Sequence, residues 1–273
     1  MKKCVYLLIL FLAGTMVSCF DGGSKSVNGE NIADINSTIP FAVTDTATKF
    51  IMDTLESNSP CLDIEISLPF AQGESSLSGN INSGIIYAAF GLDSMSPQAA
   101  ISTLLNTAGN EYLANRHDYI NEKSADNSPA WFNYQLIIKG EQKRGYKECI
   151  NYSINNYTYE GGAHGLETCI LLNFDHKSGK EIKLQDFFVE NYEEQLSNLL
   201  LETLGRQIGA TTIDEINEYG YFNIAELYPT ENFLLAPDSI IFVYNCYEIA
   251  PYSMGRTRIA LGYDQIENII KKQ

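Results

Sequence analysis

The chain has 273 residues, of which 45% are hydrophobic, and it includes 17 tyrosines. This composition is typical of a globular protein and excludes a disordered chain. The formal net charge is −16, and because such acidity repels a phosphate backbone, we expect no nucleic-acid partner. The acidity favours cationic partners at long range, although it can also serve solubility alone.

The N-terminus has the features of an export signal. Lys2 and Lys3 precede a short apolar run over residues 5–13, and Cys19 follows. This run is shorter than the roughly 20 residues that span a membrane, so it predicts a cleaved signal over residues 1–18. The segment resembles a bacterial lipoprotein signal, which implies that Cys19 carries lipid. We therefore expect an extracytoplasmic protein of the bacterial cell envelope, attached to a membrane through its N-terminal lipid.

The next segment, residues 19–36, predicts a flexible tether. It is rich in Gly, Ser and Asn and poor in large apolar residues, a composition that cannot build a packed core. The most apolar later runs, residues 85–90 and 240–244, have the length of strands and are too short to span a membrane.

The elements of the first half follow from periodicity and capping signals. Alternating apolar residues predict strands over residues 41–53, 61–70, 131–139 and 146–159. A turn-rich break between the first two strands favours an antiparallel pair. Ser96 as N-cap and Pro97 at the first helical position predict a helix that ends near His117.

The second half shows a similar order of elements. Strands are predicted over residues 167–175, 180–184, 239–247 and 256–261. Helices are predicted over residues 196–208, from a cap at Thr212, and as an amphipathic helix over residues 263–272. Strands and helices are grouped in blocks, which predicts an α+β fold with mainly antiparallel sheets. We expect two small domains, each packed by one or two helices, over residues 37–155 and 156–273.

The cysteines agree with export. Beyond Cys4 and Cys19, an even number remains in a compartment that permits disulfides, at positions Cys61, Cys149, Cys169 and Cys246. Three pairings are possible. A bridge between Cys149 and Cys169 is plausible because they lie on strand-like runs that flank one glycine-rich loop, and four free thiols are the alternative. No spacing of Cys or His suits a metal, and no nucleotide-binding glycine motif follows a strand, so we expect no metal and no cofactor.

The glycine-rich loop at residues 157–165 combines three glycines with Tyr159, Glu160 and His164. Its glycines permit a tight bend between two strands, so one hypothesis is a structural corner locked by His164. A second hypothesis is ligand binding by Tyr159, Glu160 and His164, because loops on rigid sheets commonly carry binding residues. Catalysis is the third, with Glu160 orienting His164, but no serine or cysteine stands in a recognisable nucleophile setting.

A second loop, around residues 247–255, is the other candidate for binding. Pro251 cannot donate to a strand ladder and should end the preceding strand, so Tyr252 and Met254 are presented on a loop. Aromatic and methionine side chains suit protein contact, and packing against the core is the alternative. Glu248 is expected to satisfy a buried backbone or tyrosine group.

Several ordered blocks resemble the C-terminal domain of the lysozyme-sensing anti-sigma factor RsiV. These blocks are residues 159–165, 173–175, 178–180, 184–188 and 247–255. The preceding half is similar to the domain that accompanies it there and in the peptidoglycan deacetylase PdaC. The resemblance covers roughly residues 40–265 and implies a pair of extracytoplasmic α+β domains. The sigma-binding segment and the deacetylase domain have no counterpart in this sequence, so neither activity is expected.

The leading hypothesis is a lipid-anchored envelope binding module without catalysis of its own. Its ligand would be lysozyme, which is strongly basic, or a peptidoglycan-type glycan. One alternative is an envelope hydrolase that uses His164 and Glu160, and another is a structural or assembly lipoprotein.

Overall fold

A computed structural model describes residues 39–123 and 129–272. These residues lie in one compact unit that begins at Ile39. The predicted signal, the lipid-bearing Cys19 and the tether lie outside the described residues. Within the described part of the chain, no helix is both long and apolar enough to cross a membrane.

The first part of the unit is a five-stranded sheet whose strands lie in chain order. They are β1 Phe41–Ile51, β2 Cys61–Ala71, β3 Tyr134–Arg144, β4 Ile150–Glu160 and β5 Leu166–Phe174. The pairs are antiparallel except β2–β3, which is parallel. A parallel pair needs a long crossover, and three helices lie between these two strands. The predicted antiparallel pair of β1 and β2 is confirmed.

The crossover contains α1 Ser76–Phe90, α2 Pro97–Ala114 and α3 Arg116–Glu122. The predicted start of α2 is confirmed, since Ser96 accepts a hydrogen bond from Ala99 N and Pro97 opens the helix. Helix α1 was not predicted, and the apolar run at residues 85–90 lies in it rather than in a strand. Ser, Gly and Asn are weak helix formers, and they hide a helical face made by Ile81, Ile85 and Ile86, which are buried.

A hydrophobic core joins these helices to the sheet. Its fully buried members come from strands and helices alike, and include Ile64, Ile66, Ile85, Tyr152 and Phe174. This leaves the other face of β3, β4 and β5 available for contacts with the rest of the chain.

The remainder of the unit contains helices and a second sheet. The elements are α4 Leu184–Phe187, α5 Glu193–Ile208, α6 Ile213–Tyr219, β6 Phe233–Leu235, β7 Ser239–Tyr244 and β8 Thr257–Gly262. The three strands are antiparallel. As predicted, Thr212 caps α6, where it forms a capping box with Glu215. Leucines of α5 pack in a second core that includes Phe242 of β7 and Ile259 of β8. The α+β prediction is thus confirmed.

Two predicted elements are wrong. Residues 180–184 form only an isolated bridge between Phe174 and Glu181 rather than a strand. Residues 263–272 form a short 3-10 turn, Tyr263–Gln265, and then a bridge from Ile270 to Phe188. Hydrogen bonds across this contact, Val189 N to Ile269 O at 2.9 Å and Lys271 N to Phe187 O at 3.0 Å, take backbone groups that a helix would use.

Three asparagines, Asn173, Asn232 and Asn245, connect the two sheets, and we call them the asparagine clamp. Strand β5 is an edge of the first sheet, and an uncovered edge leaves backbone groups without partners. Asn232 accepts a hydrogen bond from Leu171 N at 2.8 Å, and Asn245 accepts one from Cys169 N at 2.7 Å. Asn173 accepts from Leu235 N and donates to Phe233 O. The clamp therefore covers the edge and fixes β5 against β6 and β7.

The predicted domain boundary does not coincide with the division between the two sheets. The boundary between residues 155 and 156 lies inside β4, and β5 belongs to the sheet of the first half. The division between the sheets comes after Phe174. The assignment of two separate domains stays a prediction.

Candidate functional site

Two loops that the sequence marks separately meet in the structure. The glycine loop, residues 161–165, joins β4 to β5, and the tyrosine loop, residues 245–255, joins β7 to β8. The ring of His164 stacks on the ring of Tyr252, with 3.8 Å between centroids and 14° between planes. Tyr252 Oη donates to Gly165 O at 2.9 Å, and His164 Nδ1 lies 3.0 Å from the same oxygen. The two motifs thus form one surface.

The backbone conformation of the glycine loop requires a glycine at position 161. Its φ is +84°, and a Cβ at this position would lie 2.5 Å from the carbonyl oxygen of Trp131. Gly162 also has a positive φ, +97°, but faces open space. Tyr159 Oη donates to Gly162 O at 3.0 Å and closes the bend. This geometry is that of a tight corner between two strands.

Tyr247 extends the stack on the tyrosine loop. Its ring centroid lies 5.9 Å from that of Tyr252, and its side chain is 56% exposed. Its φ is +72°, a left-handed conformation that costs a non-glycine residue about 1–2 kcal/mol. A hydrogen bond from Tyr247 N to Ala250 O holds this turn. Backbone strain of this kind is concentrated at binding and active sites. We call His164, Tyr252 and Tyr247 the aromatic row.

Trp131 is a further aromatic side chain beside the glycine loop, and no sequence pattern around it indicated a contact residue. It is 51% exposed, its carbonyl contacts Gly161, and its indole donates to Glu122 at 3.2 Å. Exposed tryptophan is typical of contact surfaces.

The catalytic hypothesis required Glu160 to orient His164. Glu160 is exposed at the end of β4, opposite Tyr134. Among the described residues, no hydrogen bond or ion pair joins Glu160 to His164. A base needs an orienting partner within hydrogen-bond reach, so this pair lacks that geometry. The expectation that the chain has no catalysis of its own stays a prediction.

The other predicted binding residues of the tyrosine loop have different surroundings. Pro251 is half-buried and precedes the short 3-10 turn Tyr252–Met254. The sulfur of Met254 packs against Gly220, which ends α6. Glu248 Oε2 is buried without a hydrogen-bond partner, so this oxygen does not satisfy a buried group as expected. Partial burial raises the pKa of Tyr252, with a further contribution from nearby acidic groups, and its phenol stays a hydrogen-bond donor at neutral pH.

A cleft of about 430 Å³ lies beside these loops. Its walls come from β3, β4 and β5 on one side and from β6, β7 and β8 on the other. Arg256 connects the cleft with the loops, because it follows Tyr252 by four residues and donates to Asn155 Oδ1 at 2.9 Å. Sequence reasoning missed the cleft. The available signal was Arg256 and Arg258 at the first and third positions of the predicted strand 256–261, since side chains two residues apart in a strand lie on one face.

The predicted bridge between Cys149 and Cys169 is wrong. The four described cysteines are free. Cys169 lies opposite Asn155, whereas Cys149 precedes Ile150 at the other end of the β4–β5 pair. The two are therefore about 20 Å apart along the strands, and a disulfide needs Cα atoms within roughly 7 Å. Burial raises the pKa of Cys149 to about 12, so this thiol stays protonated and unreactive at neutral pH.

Two family models match separate parts of the chain. Residues 185–264 match a family described as a protein of unknown function, DUF3298. Residues 55–167 match a family described as deacetylase PdaC. Two parts of the chain are thus similar to the PdaC and DUF3298 families. The glycine loop lies in the PdaC match and the tyrosine loop in the DUF3298 match, so the stack of His164 on Tyr252 joins the two matched parts.

Solved structures support this assignment. A member of the DUF3298 family from Bacteroides fragilis NCTC 9343 is 28% identical, with a TM-score of 0.77 over 85% of this chain and 94% of that chain. A DUF3298 family protein from Pseudomonas aeruginosa PAO1 has a TM-score of 0.58 at 16% identity, over 85% of this chain and 95% of that chain. The second likeness is one of fold alone.

A curated relative is similar to part of the chain. The peptidoglycan-N-acetylmuramic acid deacetylase PdaC of Bacillus subtilis strain 168 is 25% identical over 129 residues. The match covers 46% of this chain and only 27% of the relative. The predicted resemblance to PdaC is therefore confirmed, and the resemblance to RsiV stays a prediction.

Proposed function

We propose that this protein is a lipid-anchored module of the bacterial cell envelope that binds a peptidoglycan-type glycan through the aromatic row. The PdaC and DUF3298 matches support an association with the envelope. The observation that carries the proposal is the continuous stack of His164, Tyr252 and Tyr247 on two anchored loops.

The physical basis is the shape of a sugar ring. A pyranose presents a flat face of C–H groups, and aromatic side chains bury such area at a low cost in conformational entropy. The hydrogen bond from Tyr252 to Gly165 O and the turn at Tyr247 hold two of the rings in place before a ligand arrives. Preorganised rings lose less entropy on binding.

Replacement of Tyr247 by glycine tests the proposal without damage to the fold. Glycine accepts the φ of +72° without steric cost, so Tyr247→Gly removes the ring while stability is maintained. We expect the affinity for soluble peptidoglycan fragments, measured by isothermal titration calorimetry, to fall about two- to tenfold, since a stacked ring contributes about 0.5–1.5 kcal/mol. Tyr87→Ala, on the exposed face of α1, should leave the affinity unchanged. If Tyr247→Gly and Tyr87→Ala bound the fragments with equal affinity, the aromatic row would not be part of the binding site.

Lysozyme is the second candidate ligand, and the net charge of −16 favours it. Attraction between an acidic module and a basic enzyme is screened by salt. Lysozyme should therefore be retained on immobilised protein, more strongly at low than at moderate salt. Failure of retention at both salt concentrations would exclude this ligand.

The lipid anchor is tested on Cys19. In cells fed a labelled fatty acid, the wild-type chain should carry the label and fractionate with membranes. Cys19→Ala should lose both properties. Labelling of the variant at the wild-type level would exclude Cys19 as the lipid-bearing residue.

A further inference from the structure

The cleft beside the aromatic row reverses the charge balance of the protein. The chain has 18 Lys and Arg against 34 Asp and Glu. The cleft is lined by Lys143, Arg256 and Arg258 against a single acid, Glu141. A concentration of positive charge in an acidic protein indicates a local requirement for an anion.

The three cations are not equivalent. Lys143 Nζ lies 2.9 Å from Glu141 Oε2, so its charge is compensated within β3. Arg256 donates to the neutral Asn155 at 2.9 Å and lies 3.9 Å from Glu167 Oε2, which positions its guanidinium. Arg258 forms no ion pair with any described residue. It is the cation left for a ligand.

The remaining lining is partly polar, with Asn151, Ser153 and Asn155 from β4, and partly apolar. The floor of the cleft is made by side chains of β5, β6 and β7, namely Leu171, Leu234, Ile241 and Val243. Cys169 also lines the cleft, and because burial raises its pKa, its thiol adds no negative charge at neutral pH. A volume of about 430 Å³ falls within the range of roughly 300–1,000 Å³ typical of small-ligand sites. The cleft therefore offers a cationic wall and an apolar floor to one small group.

We propose that this cleft binds the acidic arm of a sugar, with the carboxylate on Arg258 and Arg256 and an adjacent methyl group on the apolar floor. The arm that fits this description is the carboxylate and methyl group on the ether arm of N-acetylmuramic acid in a glycan without an attached peptide, because a peptide joined to this carboxyl as an amide would remove its charge. Arginine pairs well with carboxylates because its fork of N–H donors matches both oxygens. The inference rests on the proposed function, since Arg256 lies between the cleft and the loop that carries Tyr252.

Two disaccharides that differ in the acidic arm test the inference. The purified protein is titrated with N-acetylglucosaminyl-N-acetylmuramic acid and, separately, with chitobiose, which lacks the arm. We expect the acidic disaccharide to bind about tenfold more tightly, as one charge-assisted pair allows. Arg258→Gln should abolish this preference and leave chitobiose binding intact. Lys49→Gln, at the far edge strand β1, should keep the preference.

The outcomes separate the inference from the proposed function. Equal binding of both disaccharides by the wild-type protein would overturn the acidic-arm site and leave the aromatic row in place. Binding of neither disaccharide would overturn both. The dipeptide N-acetyl-D-alanyl-D-alanine is a third ligand with a carboxylate and a methyl group. If it bound with the same dependence on Arg258 while the acidic disaccharide showed no preference, the cleft would be a peptide site and the proposed sugar would be wrong.

Discussion

The asparagine clamp should make a large contribution to stability, and Asn232→Ala tests it. The side chain of Asn232 forms three hydrogen bonds to backbone groups, from Leu171 N at 2.8 Å and to the carbonyls of Cys169 and Val243 at 2.9 Å each. A hydrogen bond contributes about 1 kcal/mol net, so the variant should lose about 3 kcal/mol. The loss is large because Leu171 N and the carbonyl of Val243 are left without the amide of Asn232, whereas the carbonyl of Cys169 keeps a hydrogen bond from Asn245 at 3.1 Å.

Urea unfolding followed by circular dichroism measures this loss. A chain of this size has a denaturant dependence of about 3 kcal/mol per molar urea, so the midpoint should fall by about 1 M. Asn121→Ala is the matched control, because Asn121 is exposed and, among the described residues, its amide hydrogen-bonds only to the exposed His117; we expect a change within about 0.5 kcal/mol. An Asn232→Ala midpoint equal to that of the control would refute the reasoning.

Three further predictions concern the loops, acid stability and the thiols. Gly161→Ala should destabilise the protein by about 2 kcal/mol or more, and by more than Gly162→Ala, because both have a positive φ but only the first adds a clash with a carbonyl oxygen. The hydrogen bond from Leu55 N lowers the pKa of the Asp53 carboxyl from 3.8. The ionised carboxylate therefore stabilises the fold above pH 3.8, and this stabilisation is lost as the pH falls through the lowered pKa. Asp53→Asn should make the free energy of unfolding less dependent on pH in this acidic range. Thiol labelling followed by peptide mapping should modify Cys149 only after unfolding, and a disulfide-linked peptide containing Cys149 and Cys169 would contradict the structure.

Much of the fold could be predicted because its signals are local. Alternation of apolar residues indicated most strands, and the caps at Ser96 and Thr212 fixed two helix starts. The errors arose where tertiary contacts outweigh local preference. Residues 263–272 have a helical pattern, but their backbone pairs with residues 187–189 instead. The three-residue β6 is too short to give a periodic signal.

The candidate site was predicted only in parts. Glycines and aromatic residues marked the two loops, but the pairing of Tyr252 with Gly165 joins positions 87 residues apart. The contact of Arg256 with Asn155 spans 101 residues. Such contacts depend on how β5 packs against β7, which is set by amide groups of the asparagine clamp, and single asparagines carry no sequence signal of a long-range partner.

The most direct test of glycan binding by the aromatic row is an NMR titration of the protein with soluble peptidoglycan disaccharide. Ring resonances of His164, Tyr247 and Tyr252 should shift together and saturate with one affinity, while those of the exposed Tyr87 on α1 stay unchanged. Saturable binding that leaves the three rings of the row unshifted would contradict the account.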